Sequence, residues 1–118
     1  MSIAAKIREV EYSFQDLDQS ALEEAAFFQG MVAGLKKTLR PDFDHDAAVE
    51  DAALALRRTL RTEDGSTSCP IATEKAAGFY SGLLYASTED VFEAQAAGYQ
   101  ELQYLRQEIT LELDEADA

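Results

Sequence analysis

Two segments constrain this chain more than any other feature: Ala26-Phe27-Phe28-Gln29-Gly30-Met31-Val32-Ala33-Gly34 and Gly78-Phe79-Tyr80-Ser81-Gly82-Leu83-Leu84-Tyr85-Ala86. They align without gaps 52 residues apart, and each has a small residue at every fourth position. Ala26, Gly30 and Gly34 form the first strip; Gly78, Gly82 and Ala86 form the second. Residues four apart share one helix face, so each strip is a smooth surface where another backbone can come close. Glycine inside a helix costs about 1 kcal/mol relative to alanine, so Gly30, Gly34, Gly78 and Gly82 need a compensating close contact. The spacing predicts a crossing between two central helices, with a homodimer seam through the same four glycines as the alternative. Ala25/Ala77, Phe27/Phe79 and Gly30/Gly82 are the identities at this offset, which leaves duplication and coincidence both open.

The rest of the chain reads as helices around that pair. Ile3, Ile7, Val10, Phe14 and Leu17 recur at helical spacing, with Lys6, Arg8, Glu9 and Glu11 expected on the opposite, polar face. Asp18 or Ser20 is the expected N-cap of a second helix over about 21–39, and Ser20 with Glu23 has capping-box spacing. Pro41 enforces a turn, and Asp42, Asp44 and Asp46 supply cap and first-turn acids for a third helix, about 44–61. Its apolar face is Ala48, Val49, Ala52, Ala55, Leu56 and Leu60. If it runs antiparallel to the second helix, Arg57, Arg58 and Arg61 return to the level of Glu23 and Glu24 and pair with them. The turn-rich stretch from Thr62 to Pro70 divides the chain near its middle and precedes a fourth helix, about 70–87. Thr88, Glu89 and Asp90 cap a fifth, with Val91, Phe92, Gln95, Tyr99, Leu102, Leu105 and Ile109 as its seam, and Tyr104 and Leu111 as a second stripe. The predicted fold is all-α: one compact bundle of about five helices over residues 1–113, helices two and four central. Residues 114–118 read as an acidic disordered tail.

Motifs that would specify chemistry are missing. Asp42-Phe43-Asp44-His45-Asp46 resembles the start of a calcium loop, but the required Gly and Glu positions are Ala47 and Ala53. Helix capping, with His45 exposed, explains the same residues. Cys69 is the single cysteine, so no intramolecular disulfide forms, and with no partner thiol it reads as inert. The paired acids Glu23-Glu24 and Glu50-Asp51 read as solvated or salt-bridged, and with one histidine no Ser-His-Asp set can be assembled. The expectation is therefore a non-enzyme with no catalytic residues, no metal and no cofactor. No secretory h-region or long apolar run is visible, which predicts a cytoplasmic protein with no membrane partner.

Charge points to function most directly. Twenty-three acids against ten bases give a net charge of −13, which argues against direct nucleic-acid binding. Residues 88–118 carry nine acids against Arg106 alone. The expected contact surface is this last helix, with Glu89, Asp90, Glu93, Glu101, Glu108 and Glu112 as the acidic face and Tyr99 and Tyr104 as aromatic anchors. Tyr80 and Tyr85 are further aromatics expected at an interface. In texture the chain resembles the small acidic helical proteins that phages and mobile elements encode. The acid excess of residues 88–118 makes the leading expectation an inhibitor or adaptor that occupies the basic surface of a nucleic-acid-binding protein, with a phage-type antagonist or DNA mimic as its form. The alternative is a salt-adapted homo-oligomeric structural or assembly subunit.

Overall fold

The computed structural model describes residues 1–15, 21–60 and 70–117, and these form five helices. They are α1 (Ile3–Gln15), α2 (Leu22–Lys37), α3 (His45–Leu60), α4 (Pro70–Tyr85) and α5 (Val91–Asp117). The expectations placed on Asp18, Ser20, Arg61 and Cys69 lie outside the described residues. Ala21 is the residue at the N-cap of α2, and it makes no side-chain cap bond.

α2 and α4 form the centre, and they meet along the two glycine strips. A Cβ added at Gly78 would fall on the carbonyl of Phe27, and one at Gly82 on the carbonyl of Met31. In the other direction, a Cβ on Gly30 would meet the carbonyl of Lys75, and one on Gly34 the carbonyl of Phe79. Backbone lies on backbone, which only glycine permits. The paired positions rise together, Phe27 with Gly78 and Met31 with Gly82, so α2 and α4 run parallel. The strips are thus occupied within the chain.

The other helices fill the sides of that pair. α3 packs antiparallel to α4, with Ala48 and Ala52 against Leu83, Phe79 and Tyr80. Ala48, Ala52 and Leu56 carry the buried face of α3, whereas Ala55, expected there, is exposed. α5 also runs antiparallel to α4. A Cβ on Gly98 would strike Ser81 Oγ and lie 3.0 Å from the carbonyl of Ala77, so this crossing is close as well. The seam of α5 consists of Ala94, Gly98, Leu102, Leu105 and Ile109. Phe92, expected on that seam, is 76 % exposed, because small residues rather than large ones let α5 approach α4. The backbone of α5 stays helical through Asp117, where the composition argues for a tail that does not fold.

α1 departs most from its sequence pattern. Lys6 is not on the solvent face: it is 2 % exposed, and its ammonium closes the C-terminus of α4. Nζ donates to the carbonyls of Tyr85 (2.8 Å), Thr88 (2.6 Å) and Ala86 (3.4 Å), and it lies 4.9 Å from the Tyr85 ring centre. Tyr85 is 1 % exposed and donates its hydroxyl to Glu9 Oε2 at 2.6 Å, so it is a core residue and not an interface one. His45, expected to be exposed, is half-buried with Nε2 3.3 Å from the carbonyl of Leu83. The last turn of α4 has no base of its own. Its last carbonyls take turn bonds from the N–H groups of Ala86, Ser87 and Thr88, and Lys6 of α1 and His45 of α3 add side-chain contacts to those of Tyr85 and Leu83.

Candidate functional site

α5 carries every residue of the expected acidic face except Glu89 and Asp90, which precede it, and the structure divides that set. Asp90 is the N-cap: its Oδ1 accepts the backbone N–H groups of Phe92 (2.9 Å) and Glu93 (3.2 Å). Glu89 lies 3.7 Å from the amino group of Met1. Glu93, Glu101, Tyr104, Glu108 and Glu112 recur at steps of eight, three, four and four residues, which places them on one flank of the helix.

Within that flank, the lower part is already engaged. Arg57 reaches across from α3, with Nη1 3.1 Å from Glu108 Oε2 and Nη2 bonded to Glu112 Oε1. The pairing of Arg57 with Glu23 and Glu24, expected from the sequence, does not occur. α3 lies against α4 and α5, so its C-terminal arginine meets the acids of α5 first. The upper part keeps Glu93 and Tyr104 exposed and Glu101 half-buried. Tyr104 is 60 % exposed, and Leu111, one heptad further, is 63 % exposed.

Tyr99 lies on the opposite flank. Its ring stacks on Phe27 at 4.6 Å with 5° between the planes, and its hydroxyl donates to Glu74 Oε2 at 3.3 Å. Burial pushes that hydroxyl up to about 12, and the carboxylates of Glu74, Glu24 and Glu23 add to the rise. Burial also raises Glu74; Glu23 and Glu24 add to this, while the Tyr99 bond and Arg106 oppose it. Tyr85 is likewise pushed up to about 12, first by burial and then by the carboxylate of Glu9. An unfolded phenol ionises near 10, so both tyrosines favour the fold fully below that pH. This stabilisation is lost as the pH climbs through about 12. Thermal melts followed by circular dichroism should show a falling midpoint between about pH 10 and about pH 12, and Tyr99→Phe should flatten part of that fall. A midpoint independent of pH over that range would contradict these placements.

Among the described residues, no group of three or more His, Cys, Asp or Glu side chains is disposed to hold a metal ion. Also among them, no helix is long and apolar enough to cross a membrane. The sequence signal missed Lys6, because its charge groups it with Arg8, Glu9 and Glu11, although it shares the face of Ile3 and Val10 at steps of three and four. It also missed Gly98, although Ala94 and Gly98 repeat the four-residue spacing of the other strips. No protein-family model, curated protein or solved structure matches the chain.

Proposed function

We propose that this chain is a cytoplasmic, non-enzymatic interaction module that occupies the basic surface of a nucleic-acid-binding protein, as an inhibitor or adaptor. The observation that carries the reading is the outward flank of α5. Glu93 and Glu101 stand there at helical spacing beside the exposed ring of Tyr104, on a helix whose sequence offers only Arg106 against its acids. Carboxylates at that spacing are a rigid array of negative charge, and a surface built to bind phosphates accepts such an array. Two of the bases are also turned to internal work, Lys6 at the end of α4 and Arg57 between α3 and α5. Glu108 and Glu112 belong to the rim of this surface, because Arg57 already neutralises part of their charge.

The test is capture by the tagged chain from extracts of its source or host, with double-stranded DNA as competitor. The captured protein should be released by the DNA and by salt, since contacts of this kind are screened within about 10 Å at 0.1 M ionic strength. Capture that is indifferent to both would contradict the reading.

A further inference from the structure

A small open notch lies between α2 and α5, on the side of α5 away from its acidic flank. Glu24, Phe27, Phe28, Gln95 and Tyr99 line it. Its rings are held in place: Tyr99 stacks on Phe27, and Phe28 meets Phe27 edge-on at 6.1 Å. Its rim is acidic. Glu24 is exposed at the start of α2, and Glu74 of α4 is tied to the Tyr99 hydroxyl. Glu23 acts electrostatically on both Glu74 and Tyr99, and Arg106 is the base that acts on Glu74. Among the described residues, the chain's own cation–ring contacts lie elsewhere, Lys6 on Tyr85 and Lys37 on Phe79.

We propose that this notch receives an arginine side chain from the surface of the protein partner. Fixed aromatic rings beside carboxylates suit a planar guanidinium better than any other side chain. It stacks on a ring face while its N–H groups reach the acids, and it loses less hydration than an ammonium. The charge argument points the same way. The carboxylates of Glu23 and Glu24 act on the partly buried carboxylate of Glu74, and an incoming cation relieves that repulsion. The inference rests on the reading that the partner is basic, and it adds a second contact on the face opposite the acidic flank.

The test uses the purified chain and three short peptides, acetyl-Gly-Arg-Gly-amide and its lysine and citrulline counterparts, followed by NMR of the aromatic side chains. The arginine peptide should shift the Phe28 and Tyr99 ring signals saturably, the lysine peptide should bind more weakly, and the citrulline peptide should leave the rings unmoved. Glu24→Gln, an exposed change that spares the core, should weaken binding up to about fivefold. Tyr99→Leu should weaken it by about tenfold, with its fold checked by circular dichroism. Three results would overturn the proposal: ring signals that stay fixed, equal binding of the citrulline peptide, or tighter saturation by tetramethylammonium than by arginine. Because the titration needs no partner, its failure leaves the α5 reading standing, whereas failure of the DNA-competition experiment removes the basic partner on which this proposal rests, so the two failures are told apart.

Discussion

Replacing Gly78 with alanine should cost about 3 kcal/mol or more, against the usual effect of Gly→Ala in a helix. Helix propensity alone favours the change by about 1 kcal/mol. The added methyl, however, falls on the carbonyl of Phe27, a backbone atom that cannot swing aside. Overpacking a core typically costs about 1–3 kcal/mol, and here relief requires α2 and α4 to separate along their whole contact. Gly82 stands in the same relation to Met31, so the double variant G78A/G82A should remove most of the roughly 5–15 kcal/mol that holds a small domain together. Urea denaturation monitored by circular dichroism gives the single-variant values, and the double variant should show no cooperative melt. A gain of about 1 kcal/mol in either single variant would mean that the strips do not touch.

Lys6→Met should have the next largest effect. The replacement keeps nearly the same length and apolar stem, so packing of α1 on α2 is retained and only the ammonium is lost. The carbonyls of Tyr85 and Thr88 then lose a charged donor at the buried end of α4. The Tyr85 carbonyl keeps the backbone N–H of Thr88, so what is lost is the charged hydrogen bonds, which contribute about 1.5–3 kcal/mol each. The expected loss is about 3 kcal/mol, with amide hydrogen exchange accelerated first in the last turn of α4 and in α1. A stability within about 0.5 kcal/mol of the parent would show that Lys6 is solvated rather than capping.

These two residues show which links were legible in the sequence. Gly78 was readable because glycine in a helix interior is expensive, and four of them at one spacing demand a close neighbour. Which helix supplies that neighbour was also readable, since the two strips match. Their parallel direction was not, because periodicity marks the buried face of a helix and carries no information about its polarity in the bundle. Lys6 was hidden for another reason: one polar residue on an apolar face has no periodic signature, and its partners are backbone carbonyls nearly 80 positions away. The same limit applies to Arg57. Its charge predicts an acidic partner, but the choice between Glu24 and Glu108 is made by which helix α3 lies against.

The candidate site was legible in part. Counting acids identified α5, and helical spacing put Glu93, Glu101, Tyr104, Glu108 and Glu112 on one flank. Counting could not distinguish acids facing solvent from those engaged by Arg57, nor place Tyr99 against Phe27. The helical end of α5 also runs against its charge, since acids at a C-terminus oppose the helix dipole. Leu105 and Ile109, buried just before it, anchor the turns from which the helix extends.

The central claim is that the glycine strips are scaffold and that recognition lies on the outward acidic surface. The double variant Glu93→Gln/Glu101→Gln, read for thermal stability and for partner capture on the same preparation, tests it most directly. The claim predicts a melting temperature close to that of the parent and a marked loss of capture. Capture retained at the parental level by a folded variant would contradict it.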